Sequence, residues 1–292
     1  MNHIFKGIFL LSILLASCNT TKTKTNKPIV SVSIAPQKYF VERLLPDSID
    51  VNVMIPQGSN HATYSPTAGQ IKKLSASKAY IMMGHLSFEK NWAEKLKSAN
   101  STMQWYNLSE GIDMIQGTHD HHHHHEHDHV CSAGVDPHTW TSPVEVQEII
   151  RNLKTTLTEL FPQHKSLISN NYQLLIKDIK VLDEQLLQLK AEQEGLTFMI
   201  FHPAYTYLAR AYGFNQISIE FEGKTPTPAR LKATIDNARA KGIKTIYIQQ
   251  EFDRSNADVI AKEIGAQTVQ VNPLSENWLH EMQQFITHLA GK

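Results

Sequence analysis

Two cysteines in 292 residues are too few to staple a fold, so this chain must hold itself together with a buried apolar core. Neither sign of charge is in excess, with 28 Lys and Arg against 28 Asp and Glu. That balance removes the basic face a nucleic-acid binder needs, and no nucleic-acid partner is expected. It also removes the high net charge of a disordered acidic chain. The apolar stretch from Ile8 to Ala16 is nine residues long and interrupted by Ser12, well short of the roughly 20 residues that cross a bilayer as a helix. Histidine is what the chain has in excess: 16 in all, eight of them inside one 11-residue window.

Lys6 is the only charge before position 19, and the apolar stretch behind it has the layout of a secretory signal. It ends Leu15-Ala16-Ser17-Cys18, which resembles the lipobox of bacterial lipoproteins, where cleavage leaves the cysteine as the lipidated first residue. Residues 1–18 therefore read as a lipoprotein signal peptide, and the mature chain as an extracytoplasmic protein anchored to a bacterial membrane through Cys18. Loss of that segment takes one lysine and no acid, leaving a net charge of −1. Residues 19–27, NTTKTKTNK, carry no apolar period and read as a tether. With Cys18 lipidated, Cys131 is the one free thiol and no internal disulfide can form; it reads as a small packing residue, with a soft metal ligand as the alternative.

Beyond the tether, short β-rich runs alternate with helical patterns. Ile29 to Ile34, Val51 to Ile55 and Ala79 to Met83 read as strands, with helices over Gln37 to Leu45 and Thr67 to Leu74. The alternation returns with strands at Thr197 to Phe201, Gln216 to Glu220, Thr245 to Gln249 and Thr268 to Val271. Such alternation predicts parallel sheets covered on both faces, hence two α/β, Rossmann-like lobes. Between them, from His164 to about Gly195, Ile168, Tyr172, Leu175, Ile179, Leu182, Leu186 and Leu189 fall at a 4-3-4-3-4-3 spacing. That is one apolar stripe on one helix. A coiled-coil seam would give the same pattern, but the pause in the alternation favours a long backbone helix joining both lobes. The expected division is an N-terminal lobe over 28–163, the linking helix over 164–194 and a C-terminal lobe over 195–292.

Three histidines stand in loops where chemistry could occur. His61 follows a strand in IPQGSNHATYSP, His138 sits between prolines in DPHTWTSP, and His202 follows a strand in FHPAYTYLARAYG. Ligands of open α/β sheets bind beyond the carboxyl ends of strands, which places His61 and His202 at such a position. Two histidines belong to the first block and one to the second, so they could converge across a cleft.

The order of a lipobox, a His loop ending Tyr64-Ser65-Pro66, Asp136-Pro137-His138-Thr139-Trp140, a long central helix, then Phe201-His202-Pro203-Ala204 and Tyr207-Leu208-Ala209-Arg210 resembles the metal-binding solute-binding proteins of ABC importers. Within them it is most similar to the zinc-specific branch, and the resemblance spans the mature chain. It implies two lobes joined by a backbone helix, a metal clamped between them, and transfer to a membrane permease, with the binding protein a monomer. It implies His61, His138 and His202 as the metal ligands. Manganese-binding relatives use a carboxylate at the third of these positions, and imidazole nitrogen suits Zn²⁺ where Mn²⁺ prefers oxygen. The fourth position departs from the pattern: some members place Glu before the first His, where this chain has Asn60, and others an Asp before the last helix, where it has Asn277. Water, the His-rich loop, Glu276 and His280 are the candidates left open.

Residues 119–129, HDHHHHHEHDH, contain only three acids and His119, His121, His122, His123, His124, His125, His127 and His129. With nothing apolar to bury, the tract reads as a secondary weak metal loop that raises the local metal concentration beside one strong site. The HExxH pattern of zinc proteases, met from His125 to His129, requires a regular helix and arises here by composition alone. A three-His centre with an open position also describes a zinc hydrolase, but no nucleophile motif such as GxSxG is present. A carrier is the expectation, with a secreted hydrolase and a surface metal store or adhesin as alternatives.

Overall fold

The computed structural model describes residues 27–116, 134–220 and 227–291. The signal segment, Cys18, all of the tether but Lys27, the histidines of 119–129 and Cys131 lie outside the described residues. The first lobe is built from β1 (Ile29–Ile34), α1 (Ala35–Leu44), β2 (Asp50–Ile55), α2 (Ala68–Ser75), β3 (Ser77–Met82), α3 (Ser87–Ala99), β4 (Gln104–Asn107) and α4 (Pro143–Leu160). Helix α5 (Lys165–Glu192) leads to the second lobe. There follow β5 (Thr197–Ile200), α6 (Thr206–Tyr212), β6 (Asn215–Ser218), α7 (Pro228–Ala240), β7 (Thr245–Gln249), α8 (Ser255–Ile264), β8 (Gln267–Val271) and α9 (Trp278–Leu289).

Each lobe holds a four-stranded parallel sheet, in the orders β2-β1-β3-β4 and β6-β5-β7-β8. The same winding occurs twice, and in each sheet the strand order reverses beside the first strand of the lobe. That is the position at which such sheets accept ligands. In the first strand the alternation of residue types is misleading. IVSVSI has the period of a half-exposed strand, yet Ser31 and Ser33 are fully buried. Their hydroxyls are satisfied internally, Ser31 by Ser77 at 2.8 Å and Ser33 by Tyr80 at 2.7 Å and by the carboxylate of Glu89. A central parallel strand is covered on both faces, so polar side chains there must find partners in the core.

Helix α1 starts two residues before its expected boundary. Pro36 lies in the first turn, where its missing N–H costs nothing, and the Gln37 side chain accepts from the backbone N–H groups of Ser33 and Ile34 at 2.9 and 3.0 Å. In the same way Pro143 opens α4 at its first position. The loop ahead of it is irregular except for a 3-10 turn over Thr139–Thr141.

The apolar stripe of α5 is buried at Ile168, Leu175, Ile179, Leu182, Leu186 and Leu189, while Tyr172 is half-buried. At 28 residues the helix runs about 42 Å. It packs on α1 and α4 of the first lobe and on α6 and α9 of the second. Polar ties follow the same division, with Asp178 bonded to Arg43 at 2.6 Å and Asp183 accepting from Tyr212 at 2.6 Å. One hydrophobic core runs through both lobes along this helix, from Val30 to Leu289, and a smaller second core lies under α7 and α8. None of the helices among the described residues is long and apolar enough to cross a membrane.

Candidate metal centre

His61 lies in the loop between β2 and α2, held by a tight turn in which Asn60 accepts from Thr63 and Tyr64 through its carbonyl and from Ala62 through its side chain. His138 stands at the start of the 3-10 turn. His202 follows β5 after Phe201, whose N–H continues the ladder to Tyr247. The fold brings these three loops together: one nitrogen from each ring lies within 4.8 Å of the others, and His61, His138 and His202 form the one such cluster among the described residues.

The Nε2 atoms of His138 and His61 are 3.2 Å apart, and those of His138 and His202 are 3.3 Å apart. The far nitrogens of two rings are engaged: Nδ1 of His138 lies 2.8 Å from Asp136 Oδ1, and Nδ1 of His202 lies 2.6 Å from Glu220 Oε2. A carboxylate can only accept, so each Nδ1 carries the proton and each Nε2 presents its lone pair to the cluster. Lone pairs facing each other at this distance do not attract. The spacing is that of a tetrahedron's edge, because bonds of about 2.0 Å from a central zinc place neighbouring nitrogens about 3.3 Å apart. The geometry therefore fits a bound cation, with two carboxylates raising the basicity of the donors.

The carboxylates and the walls around the rings are what sequence reasoning missed. Asp136 accepts from both Nδ1 and the backbone N–H of His138. Glu220, two residues past the end of β6, is 7% exposed. Gln249 is fully buried and grips His202 at both backbone ends, accepting from its N–H at 3.2 Å and donating to its carbonyl at 2.7 Å. Phe252 stacks on the His202 ring with centroids 5.1 Å apart. The available sequence signals were an acid two residues before a loop histidine and an acid just past the neighbouring strand.

Contacts between the lobes close on the site. The Thr141 hydroxyl lies 2.8 and 2.7 Å from the carbonyls of His138 and Ala204. Tyr207 donates to the carbonyl of Asp136 at 2.7 Å, and Arg210 binds Asp113 and Glu145. Trp140 donates to Pro273 at 2.8 Å while Trp278 donates back to Trp140 at 2.7 Å. Glu276, one of the side chains open as a fourth ligand, instead pairs with Lys38 at 2.9 Å, and His280 and Asn277 are exposed.

Burial drives the His61 pKa well below the usual 6.5, and the fields of His138 and His202 add to the shift. For Asp136, burial alone would raise the pKa, but the field and hydrogen bonds of His138 prevail and hold it low. The His61 shift has a consequence for the zinc-free protein. Just below pH 6.5 the unfolded chain takes up a proton there that the folded chain refuses, so stability falls as the pH falls through that window. In chelator-treated protein, urea unfolding at pH 7.5 and 5.5 is expected to show a loss of about 1 kcal/mol that is absent from His61→Asn. An equal loss in that variant would place its origin elsewhere.

Comparison with known proteins gives the family. The high-affinity zinc uptake system protein ZnuA of Bacillus subtilis (strain 168) is 28% identical over 285 residues, covering 92% of this chain and 88% of its own length. The zinc-binding lipoprotein AdcA of Streptococcus pneumoniae serotype 4 is 24% identical over 275 residues; the match covers 91% of this chain but 54% of that longer protein. A crystal structure of ZnuA superposes with a TM-score of 0.82 at 30% identity, covering 91% of this chain and 98% of that one. A family model described as zinc-uptake complex component A, periplasmic, matches residues 30–291, and the chain belongs to this ZnuA family.

Proposed function

We propose that this protein captures Zn²⁺ outside the cytoplasm with His61, His138 and His202 and delivers it to the permease of an ABC importer. The observation that carries the reading is the trio of Nε2 atoms held 3.2 and 3.3 Å apart, the tautomers of His138 and His202 being set by Asp136 and Glu220. The all-nitrogen donor set favours zinc over manganese. A family built around a component of an uptake complex makes the chain a carrier and not an enzyme. The core shared by both lobes and the ties across the site leave little room for wide opening, so release depends on the permease prising the loops apart.

In this reading the carrier is a monomer held at the membrane by a lipid on Cys18, in keeping with the lipoprotein name of the pneumococcal relative. The tract 119–129 gathers zinc weakly beside the strong site. Calorimetric titration of the metal-free chain should give one tight zinc site plus weak ones, and deletion of residues 119–129 should abolish only the weak ones. Loss of the tight site on deletion would place the main binding in the tract and sink the reading.

A further inference from the structure

The strand order β6-β5-β7-β8 reverses between β5 and β7, so the ends of these two strands flank one crevice. His202 follows β5. The residues that end and follow β7, Gln249 to Phe252, form the opposite wall, and three of the four have an evident task. Gln249 grips the His202 backbone, and Phe252 covers its ring. The Gln250 amide lies 3.3 Å from where a Cβ on Gly58 would stand, three residues before His61.

Glu251 is the remaining one. Its Oε2 is shut off from solvent and has no hydrogen-bond partner among the described residues, and the carboxyl lies within electrostatic reach of the His138 side chain. A shielded carboxylate oxygen without a partner is costly and calls for an explanation. The imidazole cluster has the complementary deficit: three neutral donors, no negative charge and one tetrahedral corner unfilled. Asp136 and Glu220 act on the ion only through their rings, and Nδ1 of His61 has no partner among the described residues. Of the described side chains that the sequence offers for that corner, Glu276 is bound to Lys38 and His280 is exposed.

We propose that Glu251 is the fourth zinc ligand, its carboxylate turning into the open corner when the ion enters; this rests on the zinc reading of the three histidines. Glu251 is not part of the cluster whose atoms lie within 4.8 Å of one another, so the step is a rotation of one side chain on a turn, with no closure of the lobes. Four protein ligands leave no place for a reactive water, which suits a cargo site and not a hydrolytic one.

The test is the zinc-edge anomalous crystal structure of the zinc-loaded full chain, together with chelator competition on Glu251→Gln and Glu251→Ala. A Glu251 oxygen at about 2.0–2.2 Å from zinc bound to the three histidines, with affinity at least about tenfold lower in both variants, is the expected result. Zinc on the three histidines with water or another residue in the fourth place, or unchanged affinity in the variants, overturns the proposal and leaves the zinc reading standing. Zinc bound away from the histidines overturns the reading itself.

Discussion

His202→Ala should lower the affinity of the tight zinc site by about 100-fold or more, measured by chelator competition on the full chain. Structural zinc sites with four ligands bind with an apparent 10–16 kcal/mol, so an equal share per ligand is roughly 3 kcal/mol, which converts to about two orders of magnitude. The loss is not confined to one nitrogen. Glu220, 7% exposed, would be left without the Nδ1–H that it accepts at 2.6 Å, and Phe252 without the ring it stacks on. The metal-free variant should therefore also unfold at lower denaturant, by about 1–3 kcal/mol for an orphaned buried acceptor. Zinc affinity within threefold of the parent would mean that His202 is not a ligand.

His202 is legible in the sequence for the same reason as its two partners. His61 and His202 sit in proline-bearing loops at strand ends and His138 in a loop between two prolines, where neither helix nor sheet pairing explains a histidine. The stripe of α5 is equally legible, because a 28-residue helix with one buried face repeats its period often enough to be unambiguous. The short edge strands are not. Gln104–Asn107 has no fully buried residue and carries no readable alternation, and Asn215–Ser218 begins one residue before its expected start. The two carboxylates are hidden for a different reason. Asp136 stands in the DPH motif, but its bond to Nδ1 is a property of a loop conformation; Glu220 reaches His202 only because β6 pairs with β5. Glu251 has no local signature at all. Its role depends on which strand stands beside which, and that order is set by tertiary packing, not by the run of residues around it.

The same tertiary order explains how three loops from two lobes bring one ring nitrogen each within 4.8 Å of the others. Donors kept that close must be carried by groups that cannot relax independently. In this chain the supports are reciprocal: Thr141 touches both ligand loops, Tyr207 from α6 fixes the carbonyl of Asp136, and Gln249 from β7 fixes the backbone of His202. The most heavily committed support is a pair of tryptophans behind the site.

Trp278→Ala should cost about 3–5 kcal/mol of unfolding free energy, the range for truncating a buried tryptophan. Trp278 is 2% exposed, packs edge-on to Phe40 at 5.0 Å, and donates to the carbonyl of Trp140, whose own indole donates to Pro273. The indole thus joins α9 to α1 and to the His138 loop at once, and Trp140 is the residue against which the rings of both His138 and His61 rest, at 5.2 and 6.4 Å. Trp278→Phe separates the two contributions, since it keeps most of the ring and drops the N–H; about 1 kcal/mol should be lost, with somewhat more if the carbonyl of Trp140 stays buried and unpaired. Denaturant midpoints in excess chelator give both numbers. Saturating zinc should raise the stability of each variant, because the folded state alone binds the ion tightly, and the rise should be smaller in Trp278→Ala if the loss of the joint loosens the His138 loop. An equal rise in parent and variant, with stability changed by less than about 1 kcal/mol, would show that the tryptophans fill space without holding the site.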